Sequence, residues 1–210
     1  MMKIDAIASQ PDRAGRFAVQ FSDGSKMRLY RQTVEDFGLY IDKELTEDDY
    51  AALKDGAGKM SAKMRAVRIM SASSVSKGDL QRRLVQKGED PAQAAEAVQW
   101  LSDMDLLDDR KTAQQVVNRC ISKGYGLSRA KQVLYEKQIP RAYWQEALAD
   151  YPDQTEHIVA FLRDHLEKEP DQKQLRRVID ALLRRGHSYG EIRRALEHIS
   201  LDFEDYPNGE

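Results

Sequence analysis

Cysteine is nearly missing from this 210-residue chain, where Cys120 stands alone. A single thiol excludes an internal disulfide and any metal cage built from cysteines alone. Long apolar runs are missing too, none approaching the ~20 residues that cross a bilayer as a helix. Charged residues make up 32% of the chain and apolar ones 41%, and Met1-Met2-Lys3-Ile4-Asp5 lacks the apolar core of a secretory signal. These absences predict a soluble globular protein of the cytoplasm. Charge of one sign is also scarce, the net being −2, so the whole chain is not an electrostatic binder of polyanions.

Catalytic motifs are absent as well. No phosphate-cradling Gly-x-x-x-x-Gly-Lys loop or dinucleotide fingerprint occurs, and Gly124-Tyr125-Gly126 follows a helical pattern rather than a strand, so it reads as a helix–helix corner. The histidines are His157, His165, His187 and His198. The first two would lie about 12 Å apart along a helix, too far to share a metal ion. No serine has a histidine partner in a recognisable motif, and Cys120 falls in an apolar stripe where a core thiol is expected. Asp103, Asp105, Asp108 and Asp109 are better explained by helix capping than by a metal site or an acid/base pair. The expectation is therefore no enzyme, no catalytic residue, no metal and no cofactor.

What is present begins with strands. Lys3 to Ile7 and Arg16 to Phe21 alternate in polarity, Ser22-Asp23-Gly24-Ser25 supplies a hairpin turn, and Met27 and Leu29 resume the alternation. Three short strands bury little alone and should pack on a neighbouring helix. A short helix is predicted from Thr33, ending near Gly38, and Thr46 to Asp49 forms a helix-start signature. Asp55-Gly56-Ala57-Gly58 reads as the end of that helix and as a domain boundary. Beyond about residue 60 every segment reads as helix.

The helical part carries an internal repeat. Leu84-Val85-Gln86-Lys87-Gly88, Leu134-Tyr135-Glu136-Lys137-Gln138 and Leu182-Leu183-Arg184-Arg185-Gly186 share one form and lie 50 and then 48 residues apart. Ala97-Val98, Ala147-Leu148 and Ala195-Leu196 each fall nine and ten residues beyond the corner position. Matched offsets at this period indicate a repeat array rather than a catalytic cleft. The predicted organisation is a small α+β domain at 1–60, three-helix repeats at 61–106, 107–152 and 153–201, and an acidic, disordered tail at 202–210. The fold class is thus mainly α, tandem three-helix repeats behind a small β-hairpin-containing domain.

Charge is uneven along the chain. Residues 62–152 carry 15 basic and 11 acidic side chains, whereas 1–61 carry 9 and 11, and 153–210 carry 9 and 13. The cations gather on the second helix of each repeat. They are Arg82, Arg83 and Lys87 in the first; Lys123, Arg129, Lys131, Lys137 and Arg141 in and around the second; and Arg176, Arg177, Arg184 and Arg185 in the third. Stacked equivalent helices would align them along one ridge suited to a phosphate backbone or an acidic protein groove. A solvated helix face is the plain alternative, since Asp79, Glu136 and Asp180 interleave. Tyr125 could stack on a base or a partner, or could plug the corner.

At these residues the chain resembles the RecX family, bacterial regulators of the RecA recombinase. The resemblance covers about residues 62–200 and rests on Ala66 through Gly88, Leu107-Asp108-Asp109 with Ala113, Lys123-Gly124-Tyr125-Gly126, and Leu134 with Lys137-Gln138-Ile139-Pro140. Ala147-Leu148, Leu183-Arg184-Arg185-Gly186, Ile192 and Leu196 extend it. Gln138 stands where the family usually has glycine and Thr112 where it commonly has an aromatic residue; Gln138 would cost stability if its corner needs a positive φ. The resemblance implies an elongated, curved, monomeric repeat protein lodged in the groove of the RecA filament. There it would modulate, in the inhibitory direction, ATPase activity and strand exchange in recombination and DNA repair. Two other readings stay open: an autonomous DNA binder of helix-turn-helix-like units, contacting single- or double-stranded DNA, and a general helical adaptor for another protein.

Overall fold

A computed structural model describes residues 1–199 of the chain; the tail at 202–210 lies outside the described residues. Strands β1 (Met2–Ile7), β2 (Arg16–Phe21), β3 (Lys26–Tyr30) and the two-residue β4 (Glu44–Leu45) form one antiparallel sheet in the order β3-β2-β1-β4. The hairpin between β2 and β3 turns at Gly24, whose φ of +83° suits glycine, and Asp23 accepts from the Ser25 amide at 2.9 Å. Ile4, Val19, Phe21 and Leu29 point to one face and are buried with Leu39, Leu45 and Leu53. Alternation therefore gives this sheet one dry face, covered by α1 (Arg31–Asp36) and the start of α2 (Glu47–Ala72).

Helix α2 corrects one expectation. Thr46 and Asp49 do form a capping box at its start, but the helix runs for 26 residues straight through Gly56 and Gly58. Neither glycine acts as a terminator. A Cβ on Gly56 would sit 2.8 Å from a ring carbon of Phe37, and one on Gly58 would sit 2.3 Å from the Gln93 side-chain oxygen. The glycines let α1 and α4 approach the helix, which offsets the ~1 kcal/mol each costs in a helix interior.

Because α2 is continuous, the sheet and the first helices belong to one compact unit, Met1–Leu107, and a second unit begins at Asp108. In the first unit α2, α3 (Lys77–Gln86) and α4 (Pro91–Asp103) enclose Ala62, Ala66, Leu80, Leu84, Ala97 and Leu101. Ser76 caps α3, and Asp90 caps α4 with Pro91 at its first position.

The second unit contains two further helical cores. One is formed by α5 (Asp109–Ser122), α6 (Leu127–Glu136), a 3-10 turn at Arg141–Tyr143 and the five-residue α7 (Trp144–Leu148), around Ala113, Val117, Cys120, Ala130 and Leu134. Asp108 caps α5 by accepting from the Lys111 amide. The other is formed by α8 (Thr155–His165), α9 (Gln172–Arg184) and α10 (Tyr189–His198), around Ile158, Leu162, Ile179, Leu182, Ile192 and Leu196. The protein is mainly α-helical with a small antiparallel sheet at the N-terminus, and among the described residues no helix is long and apolar enough to cross a membrane.

Candidate interaction surface

The three related segments end α3, α6 and α9 in the same way. The residue after each helix cap has a left-handed backbone: Gly88 at φ +88°, Gln138 at +51° and Gly186 at +85°. This is the left-handed C-terminal stop of a helix, and it explains why glycine stands at two of the three corners. Gln138 adopts the conformation without being glycine, so the cost foreseen from its sequence position is real. One place earlier, Lys87, Lys137 and Arg185 occupy the C-cap itself. That is the only candidate position basic in all three segments, and a cation there meets the negative end of the helix dipole whatever else it does.

The other candidate cations differ in environment. Asp79 is fully buried near the start of α3, where Arg82 and Arg83 both pair with it, Arg83 at 2.8 Å. These two arginines compensate a buried charge, and removing them would leave that carboxylate uncompensated. Arg129 pairs with Glu136 at 3.1 Å, and Arg141 lies over the Trp144 ring. By contrast Lys131, Arg176, Arg177 and Arg184 are exposed and, among the described residues, form no ion pair. Arg177 and Arg184 are seven residues apart, so they share the face of α9 opposite Leu175, Val178, Ile179 and Leu182.

Within the second unit, two corners that are 60 residues apart in sequence meet backbone to backbone. Gly126 donates its amide to the Arg185 carbonyl at 2.9 Å, and a Cβ on Gly126 would lie 2.0 Å from the Gly186 oxygen. Gly186 in turn packs on Arg129, where a Cβ would lie 2.2 Å from the backbone nitrogen. Arg185 reaches back to donate to the Lys123 carbonyl at 2.9 Å, with its guanidinium over the rings of Tyr125 and Phe161. Lys123 also lies against the Tyr125 ring, at 5.9 Å from its centroid. Tyr125 is half-buried in the core of α5–α7, and its carbonyl accepts from the Tyr151 hydroxyl at 2.6 Å. Burial pushes the Tyr151 phenol up to about 12, which keeps that donor protonated. Four of the candidates, Lys123, Tyr125, Arg129 and Arg185, thus gather at this junction, where they hold the corner together. Sequence spacing could not show that pairing.

Buried His187 closes the junction, its Nε2 donating to the Gly124 carbonyl at 2.9 Å. Burial holds its pKa below the ordinary value, and Arg185 and His157 act in the same direction. Cys120 is buried, and burial likewise pushes its thiol up, away from the thiolate that a nucleophile requires. Among the described residues no group of three or more His, Cys, Asp or Glu could hold a metal ion.

Comparison with known proteins decides the family. A regulatory protein RecX of Chlorobaculum tepidum is 30% identical over 153 residues, and the match spans 69% of this chain and 92% of that protein. The chain belongs to the RecX family. A regulatory protein RecX of Clostridioides difficile is 24% identical over 209 residues, 97% of this chain and 98% of its own length. The RecX fold is shared with a crystal structure of a regulatory protein RecX, at a TM-score of 0.60 and 20% identity, over 94% of this chain and all of that one. A crystal structure of RecX from Lactobacillus salivarius gives a TM-score of 0.56 at 20% identity over 68% of this chain and 96% of that one. No protein-family model matches the chain.

Proposed function

We propose that this RecX-family chain is a non-enzymatic regulator of homologous recombination and DNA repair in the bacterial cytoplasm. In this reading it acts as a monomer on the RecA nucleoprotein filament and lowers its ATPase and strand-exchange activity. Membership of a family of regulatory proteins carries the reading. Its helical part is read as three repeats, 61–106, 107–152 and 153–201. The residues proposed to meet the filament are the exposed cations Lys131, Arg176, Arg177 and Arg184, with Arg82, Arg83, Arg129, Lys137 and Arg141 contributing charge from structural positions.

A protein partner is favoured over bare DNA by two exposed apolar side chains. Val85 and Tyr135 stand at equivalent positions three residues before the corner and are 39% and 69% exposed. Solvent-facing apolar groups at a recurring position suit a protein surface better than a phosphate backbone. The decisive variant replaces Arg176, Arg177 and Arg184 by glutamate, since none of them stabilises a buried charge. Co-sedimentation with RecA assembled on single-stranded DNA is expected to fall at least tenfold while the circular dichroism spectrum stays unchanged. Undiminished co-sedimentation of the triple variant would remove α9 from the interface.

A further inference from the structure

A cleft in the first unit gathers cations from three separated parts of the chain. It measures about 500 Å³ and is lined by Arg16 of β2, Arg65 and Arg68 of α2, and Arg83 and Lys87 at the end of α3. Tyr30, Ser61 and Ser73 line it as well, and among the described residues no acidic side chain does. Carboxylates stand behind the cations rather than in the cleft. Asp12 takes Arg16 Nε at 3.0 Å and Nη2 at 2.9 Å, Glu89 takes Arg65 Nε at 2.6 Å, and Asp79 takes Arg83 at 2.8 Å. Arg65 is further fixed by donating to the Lys87 carbonyl at 2.9 Å, and Arg68 by donating to the Tyr30 hydroxyl.

Five cations against three carboxylates leave a formal excess of positive charge. The bonds just given occupy only part of each guanidinium, so most of its N–H donors are uncommitted among the described residues. Fixed guanidinium forks with hydroxyls beside them match the tetrahedral oxygens of phosphate, whereas a loose row of lysines would offer only point charges. The volume falls inside the ~300–1,000 Å³ of ordinary ligand sites and exceeds what one inorganic ion needs.

We propose that this cleft binds phosphate groups, taken from a nucleic-acid backbone or from a free nucleotide or pyrophosphate. The site lies within the first unit, between the N-terminal sheet and helices α2 and α3, shares no residue with α9, and stands whether or not the chain binds RecA.

The test uses the full chain at low salt, with a fluorescent 20-nucleotide oligothymidylate, pyrophosphate and a poly-glutamate peptide as probes. Arg68→Gln with Lys87→Gln is compared with Lys26→Gln with Lys54→Gln, which removes equal charge from the same unit outside the cleft. The cleft pair is expected to weaken oligonucleotide binding about tenfold and to lower the salt slope by about 1.4, at ~0.7 per single-strand phosphate contact. The control pair should change the affinity less than threefold. Ala72→Glu, which adds a carboxylate to the cleft wall without removing any contact, should reproduce the loss and covers the case in which the double variant does not fold. Displacement of the oligonucleotide by millimolar pyrophosphate assigns the site to free phosphate groups; binding without displacement assigns it to the backbone. Equal losses in both double variants, no binding of either phosphate probe, or poly-glutamate binding as tightly with the same cleft dependence would overturn the proposal.

Discussion

A methyl group at Gly126 tests the corner junction most severely. Gly126 has φ −74° and ψ 165°, an extended conformation open to any residue, so alanine there meets no backbone strain. The cost is steric alone. The added Cβ would lie 2.0 Å from the Gly186 oxygen, 2.2 Å from its carbonyl carbon and 2.5 Å from the His187 nitrogen. All three are backbone atoms, so no rotamer change relieves the clash and the two corners must part by more than 1 Å to reach ordinary contact. That movement stretches three hydrogen bonds of 2.9 Å, from Gly126 to Arg185, from Arg185 to Lys123 and from His187 to Gly124. At about 1 kcal/mol each, plus 1–2 kcal/mol for the buried imidazole donor left without its carbonyl, Gly126→Ala should destabilise the second unit by about 4 kcal/mol. The assay is urea unfolding followed by Trp144 fluorescence in a Trp100→Phe background, since those are the two tryptophans of the chain. With a slope near ~1.5 kcal/mol/M, the midpoint should fall by about 2.7 M. Gly190→Ala is the control: nothing lies within 4 Å of its added Cβ, and it should stabilise α10 by a few tenths of a kcal/mol to about 1 kcal/mol. A Gly126→Ala midpoint within 0.3 M of the parent would refute the close backbone contact.

Gln138→Gly should stabilise the second unit by about 0.5–1 kcal/mol, because relief of the left-handed cost exceeds the added chain entropy, and a lower urea midpoint would contradict this. His187 makes stability pH-dependent. Its folded value is depressed, so its contribution is complete above the ordinary value of 6.5 and is lost as the pH falls through the folded value. The urea midpoint should therefore decline between pH 7 and 5, and His187→Gln should flatten that decline; an unchanged slope would count against the buried neutral imidazole. Asp79→Ala should cost about 2–3 kcal/mol, less than a fully enclosed pair, because Arg82 and Arg83 keep access to water. Thermal melting of the first unit would show it, and a variant as stable as the parent would mean the ion pairs contribute nothing.

Local signals were readable where the physics was local. The corners at Gly88, Gln138 and Gly186 and the caps at Thr46 and Asp108 depend on neighbours a few residues away, and sequence spacing carried them. Gly56 and Gly58 misled because a glycine that admits a neighbour looks the same in sequence as one that ends a helix; only Phe37 and Gln93, distant in the chain, distinguish the two. The two-residue β4 is too short to show alternation at all. Arg82 and Arg83 stand three and four residues from Asp79, so their pairing was legible, but its weight came from the burial of that carboxylate. Arg16, Arg65 and Arg68 raised no signal because the cleft joins β2, α2 and α3, segments unrelated in periodicity.

Regulation of RecA is best tested by titrating the full chain into RecA turning over ATP on single-stranded DNA, with the Arg176, Arg177 and Arg184 triple glutamate variant alongside. ATPase is expected to fall at well below one copy per RecA protomer, and the triple variant is expected to lose most of this effect. An unchanged ATPase rate at stoichiometric excess would contradict it, and would turn attention to a different protein partner for the exposed faces of α3 and α6.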